Sequence, residues 1–166
     1  KASLRRRLEV YCKNHGLVSI ADMLPHLLNG SGSLSELLAD LSITVTEFFR
    51  DPHFYSAFIK KIIPVLKTYP YVKFWHAGCA TGEEIYSMAI CLYENNFLDR
   101  CLLYGTDFND NAVALAKKGV YQPHKFVEHS RNYKSSGGAN DFSDYFTTKY
   151  GACKVKSFLQ KQITFS

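Results

Sequence analysis

The sequence predicts an α/β protein in two parts: a small all-helical unit over residues 1–70, then a partial layer of parallel strands and helices over residues 71–166. Two observations carry this. Up to Pro70, apolar residues recur at helical spacing between capping signals. From Tyr71 onward, short β-type runs alternate with helical ones, the order of a parallel βαβα unit with a right-handed crossover. The composition allows such a core. Of 166 residues, 46% are hydrophobic, 14% aromatic and 21% charged, enough apolar surface to offset the entropy of ordering the chain. No apolar run approaches the ~20 residues needed to cross a bilayer. The N-terminal residues also lack the apolar stretch of a signal peptide, so the expected location is cytoplasmic.

The first helix is expected over Ser3 to Asn14, with Leu4 and Leu8 on its buried face, Arg5, Arg6 and Arg7 fanned over the other side, and Gly16 closing it. Ser19 to Leu28 reads as a second helix, ended by Asn29-Gly-Ser-Gly. Ser33-x-x-Glu36 is a capping box before Leu34, Leu37, Leu38 and Leu41. Asp51-Pro52 combines a cap with proline at the first helical position, and opens a longer helix with Phe54, Phe58, Ile59 and Ile62 on one face. Pro64 is expected to kink or end it.

Tyr71 to Trp75 reads as a strand, Gly78-Cys-Ala-Thr-Gly82 as a turn of small residues, and Glu83 to Tyr93 as an amphipathic helix. Cys101 to Thr106 is a second strand and Asn109 to Lys118 a second helix. Beyond Gly119 the regularity dissolves. A flexible loop is expected at 135–140 and two short antiparallel strands between Ala152 and Phe165.

Five cysteines are scattered without a C-x-x-C pair, and none of the six histidines forms an i, i+4 pair, so the expectation is reduced thiols and no metal. Twenty basic residues oppose fifteen acidic ones. The excess concentrates at Lys1, Arg5, Arg6, Arg7 and Lys13, and at Lys149, Lys154, Lys156 and Lys161, which predicts an acidic partner.

Small residues at Gly78, Ala80 and Gly82 let a ligand approach the backbone at the carboxyl edge of the sheet, although such a turn also serves tight strand-to-helix packing. Glu83 and Glu84 open the following helix. Two carboxylates there disfavour the pyrophosphate of a dinucleotide. A nucleoside carrying positive charge and no phosphate, as S-adenosylmethionine does, suits them better, unless both are simply first-turn helix acids. Asp107 ends the second strand, where an acid accepts hydrogen bonds from ribose hydroxyls or else caps the next helix.

Three motifs in order, Thr44-Val-Thr46-Glu-Phe-Phe-Arg50-Asp-Pro, Phe74-Trp-His-Ala-Gly78-Cys-Ala-Thr-Gly82-Glu-Glu84-Ile-Tyr-Ser and Gly105-Thr-Asp107-Phe-Asn, resemble the CheR family of chemotaxis protein-glutamate O-methyltransferases. The resemblance implies a partial Rossmann-like methyltransferase domain behind a small helical domain, with residues from about 120 to 166 as loops and the β-subdomain that this family inserts in its catalytic domain. It further implies S-adenosylmethionine as cofactor, S-adenosylhomocysteine as product, and Thr46, Arg50, Glu84 and Asp107 in the cofactor pocket. Thr44, where relatives often carry asparagine, joins that set, and Arg50 is the candidate to orient the substrate carboxylate. From the residues alone, Thr44-x-x-Glu47 serves equally as a capping box and Phe48 and Phe49 as packing anchors. The implied partner is a methyl-accepting receptor with acidic helices or a tail peptide, without direct nucleic-acid contact or membrane insertion.

Residues 71–166 are too few for a full methyltransferase sheet at roughly 25–30 residues per strand–helix unit. The expectation is therefore a fragment, whose unfinished sheet has an open edge for pairing or strand exchange with a second chain. Two rival readings stand beside the enzyme: a non-catalytic module binding a receptor or peptide, and a nucleic-acid methyltransferase favoured by a pI of about 8.9.

Overall fold

The computed structural model describes residues 2–41, 46–149 and 151–166. By internal packing the chain divides into two units, Lys1–Ile43 and Thr44–Ser166. The division falls earlier than the boundary near residue 70 that the sequence suggests. The cause is the helical stretch after Asp51, whose Tyr55, Phe58 and Ile63 bury in the same core as the sheet and its helices.

In the first unit, α1 (Ala2–Asn14), α2 (Met23–Leu28) and α3 (Leu34–Leu41) enclose a small core of Tyr11, Cys12, Met23 and Leu37. A 3-10 turn, Ile20–Asp22, opens the second helix, with Ser19 and Asp22 forming a reciprocal capping box. The buried stripe of α1 runs through Leu8, Tyr11 and Cys12 rather than Leu4, which is 52% exposed. Arg5 pairs with Glu9 at 3.0 Å, whereas Arg7 turns to donate from Nη1 to the Leu41 carbonyl at 2.7 Å.

Among the described residues of the second unit the first helix is α4 (Pro52–Ala57), capped by the Asp51 carboxylate accepting from the Phe54 amide. A π turn, Phe58–Ile62, then leads into α5 (Ile63–Leu66), so Pro64 neither ends nor breaks the helical path. The reason is geometric. Proline has no N–H and its ring presses on the carbonyl four residues back, here Lys60, where the wider π turn makes room.

Strands β1 (Val72–Ala77) and β2 (Cys101–Thr106) run parallel, with Val72 opposite Cys101 and Ala77 opposite Thr106. α6 (Glu83–Glu94) links them and α7 (Asp110–Lys118) follows β2. α6 is less amphipathic than its sequence suggests. Ile85 through Leu92 are all buried, because residues of the later insertion, Tyr133, Phe142 and Tyr145, join the core around it.

The insertion is more ordered than expected. After β3 (Val120–Tyr121) comes α8 (Phe126–Ser135), which the sequence reading missed; β4 (Phe146–Lys149) and β5 (Ala152–Val155) then form a second, antiparallel sheet in the order β3-β5-β4. The loop at 135–140 is tied down: the Glu94 carboxylate accepts from the amides of Ala139 and Asn140 and from the hydroxyls of Tyr133 and Tyr145. The expected strand pair within 152–165 is corrected. Only β5 joins the antiparallel sheet; α9 (Ser157–Gln160) turns the chain, and β6 (Ile163–Phe165) adds a third parallel strand beside β2. No helix among the described residues is long and apolar enough to cross a membrane.

Candidate cofactor site

The turn after β1 winds through left-handed backbone at Gly78 (φ 75°), Ala80 (φ 47°) and Gly82 (φ 93°). Such conformations are strained for any residue with a Cβ. Ala80 holds its place because its amide donates to Asp107 Oδ2 at 2.8 Å, while Gly78 and Cys79 both donate to the Thr106 carbonyl. The two glycines differ. A Cβ at Gly78 would meet open space, whereas one at Gly82 would lie 3.0 Å from the Ala116 Cβ and 3.2 Å from the Tyr121 hydroxyl. Gly82 therefore lets α7 pack closely, and Gly78 leaves backbone accessible.

Asp107 does not cap α7. Asn109 does, accepting from the amides of Asn111 and Ala112, while Asp107 Oδ1 accepts from the Asn109 amide at 2.9 Å. The half-buried Asp107 thus ties the turn after β1 to the turn after β2. Each of its oxygens retains a second lone pair for a ligand hydroxyl.

Glu83 and Glu84, adjacent in sequence, face different surroundings. Glu84 is largely exposed and lines a cavity of about 560 Å³ together with Thr46, Glu47, Arg50, Asp51, Phe54 and Tyr55. The hydrogen bond from His76 Nδ1, 2.9 Å from Glu84 Oε1, holds this carboxyl below the usual carboxylate range, against the opposing effect of partial burial. Glu83 is buried. Desolvation pushes its carboxyl up, a hydrogen bond from the Thr81 hydroxyl at 2.6 Å partly counters this, and it lines a separate cavity of about 300 Å³ with Tyr121 and His129.

Thr46, Arg50 and Glu84 are therefore brought to one cavity, while Gly78, Ala80 and Gly82 belong to the turn after β1, which Asp107 ties to the end of β2, and none of these four is part of that lining. Thr44 lies outside the described residues. Phe48 and Phe49 are fully buried packing residues, as expected, and hold the segment that presents Arg50. Phe49 sits at φ 53° with its amide donating to Ser87 Oγ at 3.0 Å, so α6 fixes this turn directly. Sequence reasoning missed Glu47, Tyr55 and His76 as neighbours of the site. Tyr55 had a signal, since it stands one residue off the apolar stripe of its helix; burial pushes its phenol above the ordinary range and keeps it protonated. Among the described residues no group of His, Cys, Asp or Glu is arranged to hold a metal ion.

A carboxylate in a cavity beside an accessible glycine turn fits a ligand with a cationic end and a nucleoside body. The comparisons with known proteins agree with this chemistry. Residues 44–166 match the family described as "CheR methyltransferase, SAM binding domain". A Pseudomonas putida protein named "Putative methyltransferase Cher3" is 38% identical over 165 residues, covering 99% of this chain and 60% of the relative. Proteins named chemotaxis protein methyltransferase from Listeria monocytogenes and Borreliella burgdorferi are 24% and 25% identical, over 77% and 76% of this chain and 50% and 49% of their own lengths. The chain thus spans between about half and three-fifths of these relatives.

Proposed function

This chain belongs to the CheR family of S-adenosylmethionine-binding methyltransferase domains, and on that premise we propose that it takes part in methylating glutamate side chains of chemotaxis receptors. The observation that supports this reading is the convergence of Thr46, Arg50 and Glu84 on one cavity beside the Gly78–Gly82 turn. S-adenosylmethionine, bound there, supplies an electrophilic methyl group on a sulfonium. Glu84 holds the cationic amino-acid end of the cofactor by a charge-assisted hydrogen bond. Asp107 accepts from the ribose hydroxyls, and Gly78 gives the ligand access to the backbone.

The substrate carboxylate needs no general base, because glutamate, with an ordinary pKa near 4.3, is ionised at neutral pH. The protein's task is alignment, which can supply roughly 7–11 kcal/mol. Arg50 orients the incoming carboxylate without a tight bidentate grip, since holding the anion too firmly would stabilise the ground state more than a transition state in which its charge is being lost. The basic face of α1 and the lysines of β4 and β5 suit an acidic receptor helix or tail, in the cytoplasm.

The test is transfer of a radiolabelled methyl group from S-adenosylmethionine by the intact protein to a purified receptor cytoplasmic fragment. Label that leaves in mild base, mapping to glutamates, is the expected result. Cofactor binding without any label would favour a binding module, and label on RNA in place of receptor would favour a nucleic-acid methyltransferase.

A further inference from the structure

His76 stands near the end of β1 with its side chain only 8% exposed, while the Glu84 side chain it meets is 62% exposed. Between them lie the Gly78–Gly82 turn and the first residue of α6. The contact therefore crosses the turn and ties the strand end to the first helical turn. An exposed glutamate on its own samples many rotamers, and fixing a long side chain costs rotamer freedom. A buried imidazole is different: its strand and the surrounding packing already hold it.

We propose that His76 is a positioning residue for cofactor binding: through Nδ1 it donates to Glu84 Oε1 and holds that carboxylate at the cavity wall, leaving Oε2 for the cationic end of the ligand. The inference rests on the reading of Glu84 given under Proposed function. A carboxylate facing Nδ1 selects the tautomer in which that nitrogen carries the proton. No partner to Oε2 is found among the described residues, so the histidine occupies one oxygen and not the other. Arg50, Asp51 and Glu47 line the cavity, and Glu84 has its hydrogen bond from His76 alone among the described side chains.

Two ligands and two variants test this in the intact protein by calorimetry. S-adenosylhomocysteine carries the amino-acid end; 5′-methylthioadenosine lacks it. His76→Ala is expected to weaken S-adenosylhomocysteine by about fivefold to tenfold, the order of one ordinary hydrogen bond acting through Glu84, and to change methylthioadenosine by less than twofold. His76→Asn, whose amide nitrogen can replace Nδ1 as donor, is expected to restore S-adenosylhomocysteine affinity to within about twofold to threefold of wild type. Equal losses on both ligands, no loss in His76→Ala, or failure of a folded His76→Asn to restore binding would each overturn the positioning role. If His76→Ala does not fold, the asparagine variant decides alone: selective loss of S-adenosylhomocysteine contradicts the proposal and retention supports it. Wild-type protein that binds methylthioadenosine but not S-adenosylhomocysteine would overturn the reading of Glu84 itself.

Discussion

The amide of Ala80 donates to Oδ2 of Asp107 at 2.8 Å across 27 positions of sequence, joining the turn after β1 to the turn after β2. Ala80 needs this anchor because its backbone is left-handed, a conformation that costs of order 1–3 kcal/mol outside glycine. One carboxylate therefore stands in two relationships, holding a strained turn and, in the proposed function, meeting the ribose.

Asp107→Ala is expected to lower folding stability by about 1–3 kcal/mol, since it leaves the Ala80 and Asn109 amides without their acceptor. S-adenosylhomocysteine affinity should fall by a further ~1.5–3 kcal/mol in protein that remains folded. Urea unfolding and calorimetry separate the two effects. A fully stable variant would remove the structural role, and unchanged affinity would remove the ribose role.

Glycines 78 and 82 should respond differently to the same change. Gly78→Ala meets only backbone strain and should cost about 1–2 kcal/mol. Gly82→Ala adds a clash with Ala116, so it should cost roughly 1–3 kcal/mol more. The comparison of urea midpoints checks the order, and Gly78→Ala as the more damaging change would contradict the packing assigned to Gly82.

The neighbouring acids should show opposite pH dependence. The Glu84 carboxyl is lowered in the fold, so its contribution is present above the unfolded pKa and disappears as pH falls through the folded value. The Glu83 carboxyl is raised, so folding is favoured below its unfolded pKa and that advantage is lost as pH rises through the folded value. Glu83→Gln is thus expected to gain stability relative to wild type as pH moves from 4 to 7, and Glu84→Gln to lose it. Urea unfolding at both pH values reads the signs, and the same sign for both would be the contrary result.

The turn after β1 and its neighbour Asp107 were legible in the sequence because local chemistry dictates them. Gly78, Ala80 and Gly82 between a β-type run and a helix could only be a tight turn, and Asp107 followed the second strand where it closes on that turn. What stayed hidden depended on distant packing. His76 and Glu84 meet only because the turn folds α6 back over β1, and neither spacing nor composition announces that. α8 was missed since Phe126, His129 and Tyr133 are few inward anchors in a helix whose one aliphatic residue, Val127, is exposed. β6 resembled an antiparallel partner of β5 because three residues, Ile163–Phe165, carry no mark of which sheet they join.

On α1 the three arginines do not act alike. Arg7 is engaged with the Leu41 carbonyl and should be left in place. Arg5→Ala/Arg6→Ala in the intact protein is expected to lower the receptor methylation rate a few-fold at low salt and to flatten its salt dependence, with S-adenosylhomocysteine affinity unchanged. An unaffected rate at low salt would show that this face does not meet the receptor.

In the proposed function the cavity bearing Thr46, Arg50 and Glu84 holds S-adenosylmethionine by its cationic end. Calorimetric titration of S-adenosylhomocysteine into the intact protein and into Glu84→Gln tests it most directly, because glutamine keeps the shape and a hydrogen-bond acceptor while removing the charge. S-adenosylhomocysteine is expected to bind saturably and one-to-one, and to weaken at least about tenfold in the variant, the equivalent of ~1.4 kcal/mol. Equal affinity in a folded Glu84→Gln protein would contradict it.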